Sequence, residues 1–407
     1  MTQHAAHVDT SSSWIRDKIF QGLSPGEYLK SLLTGINVVA GLVIIAGLAL
    51  IVLRFTQGLE AITGASHDQP WGLLLGVGLF CAVPLSATGY VVGSAVYLFG
   101  MRQYRPVVKN AVLIGFLGYL FAVVFLLIDL GRPWRIYYPL FVAYGPASVM
   151  FLVAWHVALY LSVQFLEFSP DLFQWLGLRK LRRWARKLTV GLTIFGVILS
   201  TLHQSALGAM YLLTPGKLHP LWYSPYLPWL FFVSSIAAGL AMVIVVSALT
   251  GRFLAIRADA PYLASLDYIT LSLGRGAALV LFTYFGLKLL SIAHGNHWNL
   301  LATPYGYWFL FEILGLVLLP SILLLIATRM NSVPLVRYTA LLTLVGILVN
   351  RLNVSLFVFN WNLPHREWFH WGEALVVVAV ITMEILVYRW IVNRMPVLRA
   401  HESPEDS

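Results

Sequence analysis

The residues of this chain best suited to chemistry are polar side chains set into apolar stretches: Asp129, the string His203-Gln204-Ser205, Glu312, Asn350-Arg351-Leu352-Asn353 and Glu373. An ionisable group at mid-bilayer costs on the order of 2.5–3.5 kcal/mol on insertion scales, so such groups face a cavity, a partner or a pathway. A histidine, a carboxylate and an arginine at one height suit a pocket that hydrogen-bonds the carbonyls of a quinone and exchanges protons with it. The plainer alternative is a set of interhelical ion pairs, Asp129 or Glu312 with Arg351, that only knits helices together. Gln204 directly after His203, and Arg351 at comparable depth, favour the pocket.

A second set lies deeper or toward the other end of the same stretches: His156, Arg275, Tyr284 and Glu384, with Glu167 and Asp267 near span ends. Glu167, Asp267 and Arg275 are placed to reach an aqueous interface along their own stems. His156 and Glu384 are harder to dismiss and, with Arg275, Tyr284 and Glu373, form a candidate proton path. A b-type haem needs two ligands at one height, and counting about 1.5 Å of rise per residue sets His156 and His203 at different depths. Cys81 is the single cysteine, so an intrachain disulfide, a Cys-ligated iron–sulfur cluster and a c-type haem attachment are excluded.

Membrane-crossing helices must position these residues. Hydrophobic residues make up 59% of the 407, charged residues 11%, and the mean hydropathy is +0.79, whereas an ordinary globular chain carries about 25% charged residues. Windows of about 20 apolar residues give ten spans, near 32–55, 72–99, 110–130, 145–168, 188–212, 226–250, 268–292, 305–328, 335–358 and 370–393. The division is a polar N-terminal segment (1–31) without signal-peptide character, a ten-helix transmembrane domain (32–393) and a C-terminal tail (394–407). With the N-terminus inside, about 19 of the 27 Lys and Arg residues fall on the cytoplasmic side and about five outside. Both termini are therefore expected in the cytoplasm, and the net charge of +10 reads as topology, not as nucleic-acid binding. The basic run 179–187 reads as a lipid-facing cytoplasmic helix. On the outer side, the connections 131–144, 213–225, 293–304 and 359–369 are rich in Pro, Gly, Trp and His and read as ordered caps.

Four strings, Asp129-Leu-Gly-Arg132-Pro-Trp134, Leu202-His203-Gln204-Ser205-Ala206-Leu207-Gly208, Leu218-His219-Pro220-Leu221-Trp222 and Asn350-Arg351-Leu352, resemble the NrfD/PsrC family, and most closely its HybB-type branch. The resemblance runs from about Trp71 to Pro396. It implies an all-α polytopic fold of two four-helix bundles, spans two to five and six to nine, flanked by peripheral spans one and ten. It implies that the chain carries no haem or iron–sulfur cluster of its own and binds menaquinone near the outer face. Carried over by position, it implicates Asp129, Arg132, Trp134, His203, Gln204 and Arg351 in the quinone site, with Glu312 and Glu373 also matched; Glu312 and Asn353 join the site as polar residues at the same height. The implied partners are a ferredoxin-like iron–sulfur subunit on the periplasmic side and a catalytic subunit of hydrogenase, molybdopterin or multihaem type.

The expected function is thus a quinone-reactive membrane subunit of a periplasm-facing oxidoreductase in the bacterial inner membrane, with proton translocation as a further expectation. His203 is expected to hydrogen-bond one quinone carbonyl and exchange its proton, Asp129 to hold the imidazole or to charge with it, and Arg351 to stabilise the negative charge that reduction places on the quinone oxygens. Three rivals stand beside it: a secondary transporter, weakened by spans that lack paired Gly/Pro breaks; a di-haem cytochrome b; and a structural anchor whose quinone site belongs to another subunit.

Overall fold

The computed structural model describes residues 10–66, 69–366 and 368–400, without the side chains of 10–13. Ten helical segments in it are long and apolar enough to cross a membrane: α1 (Gly35–Gln57), α2 (Leu73–Tyr97), α3 (Arg102–Asp129), α4 (Val149–Leu176), α5 (Arg179–Leu213), α6 (Leu227–Phe253), α7 (Ala260–Gly295), α8 (Pro304–Arg329), α9 (Val333–Phe357) and α10 (Trp371–Val392). All ten predicted spans are present. The expected tail 394–407, and the start of the N-terminal segment, lie partly outside the described residues.

Helices α2–α5 pack as one four-helix bundle and α6–α9 as a second. The bundles meet along α6, which packs on α2 and α5, and where α9 reaches α2. Helix α1 leans chiefly on α10, and α10 on α3 and the start of α2, so both are peripheral to the first bundle. In a lipid solvent such packing relies on close backbone approach at small residues. Gly346 of α9 shows it: a Cβ there would lie 2.5 Å from the Leu316 carbonyl of α8.

The segment before α1 and the segment after α10 meet on one face. Arg394 donates to the Ile19 carbonyl, Gln21 to that of Asn393, and Asp259, which caps α7 by accepting from Tyr262 N at 2.8 Å, also accepts from Ala400 N at 3.0 Å. The turn from α4 to α5 lies on this basic face. Gly177, at φ +76°, ends α4 in the left-handed conformation that only glycine adopts cheaply, and Arg179 starts the next helix at once. The basic run 179–187 is therefore continuous with α5 and forms its first turns.

The opposite face is roofed. The α5–α6 connection meets the segment after α9 through an antiparallel bridge between Leu218 and Phe359, with His219 N donating to Val358 O and Asn360 N to Lys217 O. His219 lies among aromatic rings, 4.7 Å from Tyr305, 4.9 Å from Trp361 and 5.6 Å from Trp222 between centroids. The predicted ordered caps 213–225 and 359–369, the second described except at 367, are thus joined to each other.

The spans are less regular than their hydropathy implies. Helix α2 has a π-helical stretch (Gly76–Cys81), Pro84 and a turn at Ser86–Ala87, while α8 (Phe311–Leu318) and α9 (Asn353–Phe357) also contain π-helical turns. Such insertions recur at functional sites because they re-aim side chains without ending the helix. Helix α2 is thus interrupted, but the irregular helices occupy different positions in the two bundles and form no corresponding pair.

Candidate functional site

The second bundle holds a charged centre. Glu312 sits in the π-helical part of α8, fully buried, and three N–H donors surround its carboxylate: Trp222 Nε1 at 2.7 Å from the roof, Asn350 Nδ2 at 2.6 Å and Asn353 Nδ2 from α9. Arg351, also buried, donates to Asn350 Oδ1 (2.9 Å), Ser234 Oγ (2.7 Å) and the Phe231 carbonyl (3.2 Å), with its guanidinium 3.8 Å above the Phe231 ring. It therefore reaches Glu312 only through Asn350. Lys288 of α7 is 2% exposed, and its ammonium faces the rings of Tyr284 (5.8 Å) and Phe309 (5.5 Å) close enough to feel the charge of Glu312. The strong hydrogen bonds of Glu312 and Arg351 hold this centre rigid.

The first bundle holds a neutral polar centre of opposite character. His203 of α5 is 0% exposed, and neither ring nitrogen has a hydrogen-bond partner. Its imidazole lies 5.6 Å from the Tyr119 ring of α3, which in turn lies 4.7 Å from Tyr160 of α4, and His156 is near enough to interact with it electrostatically. Gln204 donates to the Val83 carbonyl at 3.1 Å, which the Pro84 region of α2 presents inward, but its own amide oxygen is unpaired. The hydroxyls of Tyr119, Tyr160 and Ser200 are likewise buried without a partner of normal geometry. Buried polar atoms without partners are costly, and a cluster of them marks where a ligand or ordered water completes the structure.

A third group sits at the roof end of the first bundle. Arg54 of α1, 4% exposed, donates to the carbonyls of Asp129 and Leu130, closing the C-terminus of α3, and lies within electrostatic reach of the Asp129 carboxylate. Glu373, at the start of α10, accepts from Leu74 N at 3.0 Å, and a Cβ on Gly72 would lie 2.3 Å from both its oxygens, so the carboxylate covers the N-terminus of α2. A small recess beside it is lined by Gln69, Trp71, Trp368 and His370.

A profile described as polysulphide reductase NrfD matches residues 61–358. The chain belongs to the NrfD family. A protein of Nitratidesulfovibrio vulgaris (strain Hildenborough) is 46% identical over 93% of this chain and 98% of its own length. A probable Ni/Fe-hydrogenase 2 b-type cytochrome subunit of Escherichia coli (strain K12) is 29% identical over 88% of this chain and 91% of its own. The integral membrane subunit of a menaquinone reductase of N. vulgaris is 26% identical over 81% and 84%.

In this NrfD-family chain the residues singled out by sequence fall into separate groups. Glu312, Arg351 and Asn353 come together in the second bundle, joined by Tyr284; His203 and Gln204 lie in the first, with His156 nearby; Asp129 and Glu373 lie at the roof end. Asp129 does not hold the His203 imidazole. It ends α3, whereas Tyr119, the α3 residue beside His203, lies ten positions earlier, about 15 Å lower along the helix. Arg132 and Trp134 are exposed in the α3–α4 connection, Trp134 by 68%. Arg275 is exposed on the outer side of α7, and Glu384 lies on peripheral α10, one turn from Tyr388, which donates to Asn110 at 2.6 Å. Sequence reading missed Lys288, Trp222, Tyr119, Tyr160 and Gln164. Lys288 was legible as a charge inside a span, but tyrosine and tryptophan in apolar runs look like ordinary core or belt residues.

Proposed function

We propose that this chain is the quinone-reactive membrane subunit of a respiratory oxidoreductase complex in the bacterial cytoplasmic membrane. It would exchange electrons between a ferredoxin-like iron–sulfur subunit at the roof face and menaquinone. The observation that carries this reading is His203, a fully buried imidazole with two unpaired nitrogens, beside the Tyr119 ring and next to Gln204, whose amide oxygen is also unpaired. Menaquinone, when bound, supplies a two-electron, two-proton carrier whose carbonyls accept the hydrogen bond that an imidazole N–H offers. The menaquinone reductase subunit among the relatives supports the choice of quinone.

His203 donates to one carbonyl and exchanges its proton; Tyr119 and Gln204 orient the ring. Asp129 and Glu373, with Arg54 between the α1 and α3 ends, are proton-exchanging groups at the roof-side mouth, and exposed Arg132 and Trp134 face the partner. The Glu312–Arg351–Lys288 centre, internally bonded, fixes α6–α9 and contributes positive potential toward the reduced ring. The roof face is then periplasmic and the face where the segments before α1 and after α10 meet is cytoplasmic, as the basic residues direct. The catalytic subunit is a hydrogenase, molybdopterin or multihaem enzyme.

A titration of the purified chain with a menaquinol-analogue inhibitor, read by tryptophan quenching, tests this. Binding is expected in wild type, weakened by an order of magnitude or more in His203→Ala, and weakened less in Asp129→Asn. Unchanged binding in folded His203→Ala sinks the assignment.

A further inference from the structure

Between α3, α4 and α5, at the basic face, lies a cavity of about 130 Å³ whose walls include Lys109, Glu167, Asp171 and Thr193. Lys109 and Asp171 pair across it at 3.0 Å with side chains 25% and 10% exposed, so the cavity opens to the surface through a charged mouth. Pro170, in its wall, cannot donate to the Leu166 carbonyl, and Ser169 Oγ does so instead at 2.7 Å, leaving α4 with a polar bend at this level.

The inner end of the cavity is Glu167. Thr193 Oγ1 donates to its Oε1 at 2.8 Å. A Cβ on Gly196 would stand 3.3 Å from a Val163 methyl, 3.6 Å from the Tyr160 ring and 4.0 Å from Glu167 Oε2, so the carboxylate and that ring border the same small space beside Gly196. The Tyr160 and Tyr119 hydroxyls both face the hydroxyl of Ser200, and the Tyr119 ring leads to His203 at 5.6 Å. Beside this file Gln164, 0% exposed, has both amide atoms unpaired, its nitrogen set into notches at Gly115 and Gly89. Within a bilayer-depth bundle each such unpaired group costs several kcal/mol unless water meets it. Hydroxyls and an amide that both donate and accept are the groups from which a water-linked proton wire is made.

We propose that this cavity and file are a proton inlet from the basic face to His203. The proposal rests on the quinone reading of His203 for its destination. Each quinone reduced takes two electrons from the iron–sulfur partner and two protons; the inlet supplies the protons. A proton from cavity water moves to Glu167, passes by way of water past Tyr160 and Ser200, and restores the one His203 has given to the ring oxygen. Quinol oxidation runs the same transfers backward. Electrons enter from the roof face and protons from the other, so turnover moves charge across the membrane. Glu384, on α10 outside the bundle, has no part in it.

The test uses the assembled complex in vesicles with the basic face outward. In a Cys81→Ala background, cysteines at Thr189 and Thr193 on the cavity wall and at Ser200 in the file are exposed to a membrane-impermeant cationic methanethiosulfonate, with lipid-facing Ile194→Cys as the reference. The inlet requires labelling at 189 and 193 well above the rate at 194, with 200 slower but measurable; labelling at 193 no faster than at 194 overturns it. In parallel, Glu167→Gln is expected to slow naphthoquinone reduction by about tenfold or more while leaving menaquinol-analogue binding unchanged, Glu167→Asp restoring part of the rate and Glu384→Gln leaving it intact. Wild-type turnover in Glu167→Gln overturns the inlet too. Rapid labelling with no inhibitor binding in any variant removes the quinone reading and keeps the inlet; tight binding with slow labelling does the reverse.

Discussion

At the scale of single residues, the chain handles buried polarity in two ways. Around Glu312 the carboxylate is fully met: it accepts from Trp222, Asn350 and Asn353, and Arg351 is held through its terminal nitrogens by Asn350, Ser234 and a carbonyl. Around His203 the groups are left open. The first arrangement is a structural commitment, so Glu312→Ala, which strands three buried donors, is expected to destabilise the protein by roughly 1–3 kcal/mol per donor left unmet. Differential scanning fluorimetry in detergent would show this as a large drop in the midpoint, with Glu312→Gln intermediate because it keeps one acceptor. The sequence revealed the ionisable members of both centres, since a charge in an apolar run is conspicuous. It did not reveal which charges meet. Glu312 and Arg351 read as a direct ion pair or as a shared pocket with His203, whereas Asn350 stands between them and His203 belongs to another bundle. Contact is a property of helix rotation, which the apolar, all-round-hydrophobic spans leave almost unmarked.

At the scale of elements, ten spans and their order were readable from hydropathy because bilayer thickness fixes helix length. The interruptions were not. The π-helical turns of α2, α8 and α9 carry no composition of their own, and in α8 such a turn holds Glu312. The outer caps were expected to be ordered, and the roof they form has a titratable keystone. His219, between α5 and α6, is pushed down from 6.5 to about 4, by burial first and by nearby His297 second. Its Nδ1 accepts from Leu221 N at 3.3 Å, an arrangement that fits the neutral ring. An unfolded chain binds that proton near pH 6.5 and the folded one only near 4, so the contribution of His219 to stability is complete above pH 6.5 and is lost as pH falls toward 4. Thermal midpoints across that interval are expected to fall more steeply in wild type than in His219→Phe; parallel slopes would mean that the roof does not depend on the neutral ring.

At the scale of the whole molecule, the opposed faces differ in kind: one gathers the segments before α1 and after α10 and most of the basic residues, and the other carries a stitched aromatic roof. That asymmetry supports an orientation that reporter fusions can check. Green fluorescent protein at the C-terminus is expected to fluoresce and alkaline phosphatase there to stay inactive, and the opposite pattern would invert every assignment of side. The bridge between Leu218 and Phe359 also has a temporal meaning. Its halves belong to segments far apart in the chain, and a ribosome releases the first long before the second. The roof can close only after α9 has entered the membrane. Any subunit that recognises that surface therefore recognises chains that have been made past α9, and one truncated before Phe359 lacks half of the bridge.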